Sequence, residues 1–429
     1  MRVAIANWNR RIAGGSESYL KAAIGGLERA GVECALLSEI DAPVDREALE
    51  TSMGAPRLCI SEMGVTKALD ALRAWSPDLV FVHILKDVEL QAKLLELAPN
   101  VLFAHSHQGM CISGEKTFKF PEVHPCGRRF GWQCVFQFYP HRCGGLNPLT
   151  MWRDFRTQST RHSMLSSYSA IVTASKYLAH ELEKNGIVAE RIHTLPMPMN
   201  EVSPRGDRAS SNGRAISRSR SQAWRLLFVG RLARLKGGSV LLDAIPIAAE
   251  NLGTRIEVAF VGDGPNRAAW EEQARVVESR DRRVSVRFEG WMRAADLDNL
   301  YEQTDLVVVP SLGPETFGLV GIEAGKSGVP AAAFDVGGIS EWLIDGVNGF
   351  LAAGDPPRAE GLADAIVRCL RDPETYERLC RGASETSRRF NSAAHIESLL
   401  AIFRQVSGCP RPAAAHSIEL LASAGHLPR

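Results

Sequence analysis

Pro314-Glu315-Thr316-Phe317-Gly318-Leu319-Val320-Gly321-Ile322-Glu323 places two carboxylates around a Phe-Gly-Leu step, as Glu-x7-Glu. The apolar run just before it, Leu306-Val307-Val308-Val309-Pro310-Ser311, reads as a buried parallel strand ending in a turn. Gly318 onward reads as a helix start. Glu315 is then expected in the strand-to-helix loop, with Glu323 about two turns along the helix. The carboxyl end of a parallel strand is where open α/β sheets bind ligands. A carboxylate accepts hydrogen bonds from adjacent hydroxyls, so two of them at one crevice suit a polyhydroxylated ligand. Spacing alone favours a plainer reading, a solvated loop glutamate and an exposed helical one. The neighbouring motifs change that.

Strand-like and helix-like segments alternate along the chain, which predicts α/β architecture with parallel sheets. The first half runs from Val3 to about Asn200, with a first helix over 16–30 and strands at 33–38, 79–83, 101–105 and 170–174. A second α/β unit follows from Trp224, with strands at 225–229, 256–261, 284–288, 305–310 and 331–334. Between them, Glu201–Gln222 is rich in Ser, Arg and Gly and reads as a linker. A length of 429 residues suits about two or three domains, and 45% apolar residues are enough for sizeable cores. The net charge of +1 gives no field that points to nucleic acid. No apolar run reaches the roughly 18–20 residues of a membrane span. The start at Met1 reads as a strand, not a signal peptide, so the expected location is cytoplasmic. Nine cysteines in such a chain are expected as thiols or metal ligands.

Gly230-Arg231-Leu232-Ala233-Arg234-Leu235-Lys236-Gly237 ends a strand and precedes a helix near Gly238. Arg231 offers a bidentate fork, Lys236 a mobile point charge, and the helix start adds backbone donors. A diphosphate fits that chemistry; a merely charged surface loop is the alternative. Gly262-Asp263-Gly264-Pro265 and Gly337-Gly338 are further turns where backbone can approach a ligand closely. In the first half, Gly14-Gly15-Ser16 opens a helix and forms a second anion-friendly site. The full Gly-x-Gly-x-x-Gly dinucleotide fingerprint is missing there, which counts against NAD.

In order and spacing, these elements resemble the retaining glycosyltransferases of family 4, which have the GT-B fold. The likeness runs over nearly the whole chain and is strongest over Trp224–Asp355. It includes Glu341 and the Asp345-Gly346-x-Asn348-Gly349-Phe350-Leu351 stretch. It implies two Rossmann-like parallel-sheet domains facing across a cleft. Residues 1–200 would form the acceptor side, with an insert at 108–150, and residues 223–392 would bind the donor. A helix within 393–411 would cross back to the first domain, followed by a loose tail at 412–429. Arg231 and Lys236 would hold the donor diphosphate and stabilise its developing charge. Glu323 would take the ribose hydroxyls and Glu315 those of the donor sugar. The backbone of Phe317, Gly318 and Leu319 would touch sugar and phosphate. Gly230 and Gly262 belong to the same donor set, and Gly15 would lend an amide.

His105 stands six residues before Cys111, the spacing of the family's histidine near the donor sugar. Ser106 replaces the aspartate common after that histidine. His107 competes for the role, and a structural histidine is the other reading. The resemblance implies retention of anomeric configuration without a protein nucleophile, the leaving phosphate accepting the acceptor's proton. The paired carboxylates could suggest glycoside hydrolysis instead, but the Arg/Lys loop implies a nucleotide leaving group. Asp296-Leu297-Asp298 falls in a helical pattern and reads as first-turn acids, so no catalytic metal is expected.

Cys111, Cys126, Cys134 and Cys143 gather in one stretch. Four thiolates can close a structural zinc site, although the paired Cys-x2-Cys spacing is absent; thiols or a disulfide are the alternatives. The same stretch mixes Phe118, Phe120, Phe130, Trp132, Phe136, Phe138 and Tyr139 with Lys and Arg. It could dock a lipid-linked acceptor at a membrane surface, or form a small local core. The expected activity is transfer of a sugar from a UDP- or GDP-linked donor to a glycan or lipid-linked acceptor. Such a step belongs to cell-surface polysaccharide or glycolipid synthesis, with peripheral contact at the inner membrane face. The rivals are a sugar phosphorylase, a nucleotide-sugar epimerase and a non-catalytic nucleotide-sugar-binding protein.

Overall fold

Val3–Ala6, Leu79–Val82 and Val101–Phe103 are apolar on both strand faces and almost wholly buried. Only strands covered by helices on both sides can carry such a run. The computed structural model describes residues 1–12, 14–44, 46–52, 54–198 and 223–408. The linker read at 201–222 and the tail at 412–429 lie outside the described residues.

The chain divides into two compact units. The first comprises Met1–Glu115, 128–198 and 392–408; the second comprises Lys116–Gly127 and 223–391. Strands β1 (Arg2–Asn9), β2 (Glu33–Ile40), β3 (Arg57–Cys59), β4 (Leu79–Val82) and β5 (Asn100–Ala104) lead the first unit. The short hairpin β6 (Thr117–Phe118) and β7 (His124–Pro125) follows, then β8 (Ala170–Thr173) and β9 (Ile192–Thr194). The first sheet runs β3-β2-β1-β4-β5-β8-β9, parallel throughout.

The second unit's strands are β10 (Trp224–Val229), β11 (Ile256–Val261), β12 (Val284–Gly290), β13 (Leu306–Val309), β14 (Ala331–Asp335) and β15 (Gly349–Ala353). They are ordered β12-β11-β10-β13-β14-β15, again parallel. Each sheet reverses its strand order beside its first strand. Both units are therefore Rossmann-like, and each has a topological switch point, between β1 and β4 and between β10 and β13.

Helix Ser392–Ser407 belongs to the first unit. A Cβ at Gly26 would lie 2.6 Å from the Ile396 side chain, so glycine lets helix Gly15–Arg29 approach it closely. The Tyr19 hydroxyl and His395 Nε2 are 3.0 Å apart, and His395 Nδ1 lies 2.9 Å from the Pro196 carbonyl. A carbonyl only accepts, so Nδ1 carries the proton and Nε2 accepts from Tyr19. Burial holds His395 neutral, lowering its pKa to about 4.

Two points differ from the sequence reading. Lys116–Gly127, read as part of a first-domain insert, belongs to the second unit. There Arg234 Nη2 donates to the Lys119 carbonyl at 3.4 Å, and Arg358 pairs with Glu122 at 3.6 Å. Strands β3, β6, β7 and β9 were not foreseen, because runs of two or three residues are too short to show a period, and β15 was read only as part of a motif. Among the described residues no helix is long and apolar enough to cross a membrane.

Candidate functional site

β10 ends at Val229, and Gly230 begins a loop that turns once through Arg234–Lys236 before helix Gly238–Leu252. β13 ends at Val309 and delivers Ser311, Glu315 and then helix Leu319–Lys326. These two loops leave the carboxyl ends of adjacent strands at the switch point, where open sheets place ligands. They are tied together by backbone, with Leu312 N–H donating to the Leu235 carbonyl at 2.8 Å. Gly237 sits at φ 72°, and a Cβ there would fall 1.7 Å from the Pro310 carbonyl oxygen. Only glycine accommodates both constraints.

The Lys236 ammonium donates to Glu315 Oε1 at 2.6 Å. The Ser311 hydroxyl donates to the same oxygen. Glu315 is mostly covered, with 16% of its side chain exposed, whereas Lys236 keeps 40%. An ion pair this open stabilises a fold by about 0–1 kcal/mol at most. Its consequence is positional: a cation and an acceptor are held side by side at the strand ends. Arg231 is exposed on the same loop.

The Glu315 backbone is fixed from the next strand. It bridges Gly337 in parallel, and Gly338 N–H donates to the Glu315 carbonyl at 2.7 Å. The Gly338 amide read from sequence as open to a sugar or phosphate is thus engaged in holding the Glu315 loop. Gly262 plays a similar close-packing part. At φ 126°, its Cβ would lie 2.0 Å from the Gly230 carbonyl oxygen, so glycine lets the ends of β10 and β11 meet.

Helix Leu319–Lys326 starts from Gly318 in the left-handed region, φ 91°. Phe317 is buried, and its carbonyl accepts from Trp342 Nε1 at 2.8 Å. A Cβ at Gly321 would enter the Trp342 ring, at 1.9 Å. The glycines of the Glu-x7-Glu stretch therefore serve packing against one buried indole. The first N–H groups of this helix, from Leu319, lack intrahelical partners and offer donors to an anion.

Glu323 lies on the same helix, half-buried, and accepts from the Tyr301 hydroxyl at 3.2 Å. Burial raises its pKa, and the Tyr301 hydrogen bond draws it partly back. The Tyr301 hydroxyl is itself pushed up by burial and then by the Glu323 charge. Sequence reasoning missed Tyr301, because an aromatic on a helix face signals core. It also read Ser311 only as a strand end, although a hydroxyl four residues before Glu315 was visible. Asp296 sits in the first turn of helix Ala294–Gln303 and pairs with Arg293 at 3.4 Å.

Gly15 and His105 lie in the first unit. Gly15 opens helix Gly15–Arg29 after β1, and the buried Glu17 accepts from Trp8 Nε1 at 3.1 Å. His105 follows β5, and His83 follows β4 in the same way. His83 Nδ1 and His105 Nε2 are 2.8 Å apart, beside a small cavity that Gln91 and Arg161 also line. Burial lowers the His105 pKa to about 3 and drives that of His83 well down, so both imidazoles are neutral. His107, the other candidate, is buried with Nε2 3.1 Å from the Tyr177 hydroxyl. His105 is the more open of the two. The equivalent strand positions of His83 and His105 were the sequence clue that went unread.

Structural zinc was the expectation weighed for Cys111, Cys126, Cys134 and Cys143. Among the described residues no group of three or more His, Cys, Asp or Glu could hold a metal ion. Cys126 follows the hairpin that joins the second unit. Cys111, Cys134 and Cys143 stay in the first, with Cys134 on helix Gln133–Phe138 and Cys143 after it.

Comparison with known proteins agrees with this architecture. Residues 210–386 match the family described as "Glycosyl transferases group 1". The D-inositol 3-phosphate glycosyltransferase 1 of Catenulispora acidiphila is 33% identical over 257 residues, 56% of this chain and 60% of the relative. The alpha-D-kanosaminyltransferase of Streptomyces kanamyceticus is 27% identical over 266 residues, 61% of this chain and 64% of the relative. The chain thus matches about three fifths of the length of these curated relatives. Among solved structures, Anabaena Alr3699/HepE in complex with UDP and glucose superposes with a TM-score of 0.64 at 18% identity. That superposition covers 94% of this chain and 100% of the other. At that identity the likeness shows the fold alone.

Proposed function

We propose that this protein, whose residues 210–386 match the family described as glycosyl transferases group 1, transfers a sugar from a nucleotide-diphosphate sugar to a hydroxyl acceptor. The observation that carries this reading is the Lys236–Glu315 pair at the switch point of β10 and β13. Lys236 and Arg231 supply positive charge for a diphosphate, and the start of helix Leu319–Lys326 adds backbone donors. Glu315, held by Ser311 and the Gly337–Gly338 turn, accepts from sugar hydroxyls. Glu323, already accepting from Tyr301, has a further oxygen for the ribose.

In this reading the leaving diphosphate gains charge as the glycosidic bond breaks, and Lys236 and Arg231 stabilise it there. The transfer retains configuration. The freed phosphate oxygen takes the acceptor's proton, so the protein supplies no nucleophile. The acceptor is a glycan or a lipid-linked sugar. In the first unit, His105, kept neutral by burial, can donate to or accept from a sugar hydroxyl without bringing a charge. The helix start at Gly15 offers an amide to an anion.

The test is thermal unfolding with UDP, GDP, ADP and their sugar conjugates. A ligand that binds only the folded state raises stability as RT ln(1 + [L]/Kd). The expected result is a shift with one nucleotide family that disappears in Lys236→Ala. The absence of a shift with every nucleotide would defeat the transferase reading.

A further inference from the structure

Six of the thirteen exposed large hydrophobic side chains among the described residues fall within residues 132–152. Single exposed apolar residues are ordinary; a cluster is not. Trp132 is 63% exposed, Phe136 75%, Leu146 76% and Leu149 79%, with Trp152 exposed beside them. The two indoles share one surface. The Trp132 and Trp152 rings lie 6.0 Å apart, and both seat on the buried Phe155, at 5.0 and 6.0 Å.

Local folding presents this face. Helix Gln133–Phe138 turns Phe138 inward, 1% exposed, so Phe136 is left outside. A Cβ at Gly144 would lie 2.5 Å from the Phe138 ring, so glycine lets the following turn close tightly. Asn147 caps the next helix, accepting from Leu149 N–H at 2.9 Å, and Pro148 opens it. In helix Pro148–Leu165, positions 149, 152, 153 and 156 are exposed and share one face, while Phe155 faces the core. These helices already have a buried side. The exposed apolar set is surplus to it.

The charge along this stretch is predominantly positive. Residues 128–156 contain Arg128, Arg129, Arg142, Arg153 and Arg156, all exposed, against the single acid Asp154. That is a formal +4 in a chain whose total is +1. Indoles and leucines rimmed by arginines are the composition of a surface that lies in an anionic lipid headgroup layer. A second copy of the same face is disfavoured, because two +4 surfaces would repel. Single-stranded nucleic acid is disfavoured because Leu146 and Leu149 give bases no ring to stack on.

We propose that the face built by helix Gln133–Phe138 and the first turns of helix Pro148–Leu165 docks on an anionic bilayer, with Trp132, Phe136, Leu149 and Trp152 entering the headgroup region. This inference stands on exposure and charge, and is independent of the donor site. It also differs from the sequence reading of the insert, since Phe118 is buried in the second unit and Trp152 lay beyond the stretch considered.

The experiment is co-sedimentation of the full chain with vesicles of phosphatidylcholine alone and of phosphatidylcholine mixed with phosphatidylglycerol. Binding to the anionic vesicles should be about tenfold tighter or more, and should weaken as salt is raised. Trp132→Ser with Phe136→Ser and Leu149→Ser, and separately Arg153→Glu with Arg156→Glu, should each reduce it by about tenfold. All five positions are exposed, and unchanged thermal unfolding verifies that the variants fold. As a second readout, the blue shift of indole emission on adding anionic vesicles should shrink in Trp132→Phe and in Trp152→Phe. Equal binding to both vesicle types, no binding, or full binding by either multiple variant overturns the proposal. So does a wild-type dimer that the triple serine variant dissociates, or vesicle binding displaced by a single-stranded RNA oligonucleotide.

Discussion

At the ends of β10 and β13 the second unit carries Lys236 and Glu315, charged, paired and partly open to solvent. At the ends of β4 and β5 the first unit carries His83 and His105, neutral, paired and enclosed. Both sheets are parallel and both reverse strand order beside their first strand. The same backbone solution therefore presents two electrostatic environments. One carries charge of both signs. The other can only exchange hydrogen bonds, since burial keeps the second, charging proton off both rings. The fold fixes where side chains emerge, and the side chains alone fix the chemistry.

The largest expected effect breaks the charged end. Lys236→Ala should lower kcat/KM for a nucleotide-sugar donor by about two to three orders of magnitude, roughly 3–4 kcal/mol of transition-state stabilisation. It should leave the unfolding midpoint nearly unchanged, because a half-open ion pair contributes little. A variant that loses stability and activity together would assign Lys236 to the fold instead. Steady-state kinetics beside thermal melts separates the two.

Next is the backbone that holds the charged loops together. Gly237→Ala places a Cβ against the Pro310 carbonyl in a residue at φ 72°. The loop must move or strain, costing about 2–3 kcal/mol or more, read as a drop in the denaturant midpoint.

The neutral side makes a pH prediction. His395 has its pKa lowered to about 4 by burial, against an ordinary value of 6.5. Below pH 6.5 the unfolded chain takes up a proton that the folded His395 refuses, so stability falls as pH falls toward 4. Its share is about 2–3 kcal/mol over that window. His395→Gln should flatten the fall in part, leaving the contribution of His83 and His105, which has the same sign. Equal pH slopes for the variant and the wild type would remove His395 from this account.

The smallest expected change sharpens the comparison inside the second unit. Tyr301→Phe removes the hydroxyl that Glu323 accepts from. The loss should be about 1 kcal/mol of stability. The Glu323 carboxyl should also titrate higher still, measurable by NMR, because the lowering contribution from Tyr301 is gone.

The alternation of apolar runs with helical patterns made the longer strands readable, since a strand buried on both faces must be apolar throughout. The loops after β10 and β13 were readable because glycine, Arg231, Lys236 and the two glutamates stand at fixed offsets from those runs. The short β3 and β9 were not, and neither was β15, whose glycine start and alanine end carry a weak strand signal. Nor was the allegiance of Lys116–Gly127, which follows from its contacts with Arg234 and Arg358 more than two hundred residues away for the latter.

Sequence by itself determined the strand-to-helix loops and the residue types they carry, because local propensity and hydrophobic period act over a few residues. Tertiary structure decided which of those residues meet. It set Lys236 on Glu315, Tyr301 on Glu323 and His83 on His105. It also decided that Trp132 and Trp152 share one exposed face. Contacts between distant positions depend on sheet order and helix packing, and no spacing along the chain encodes either.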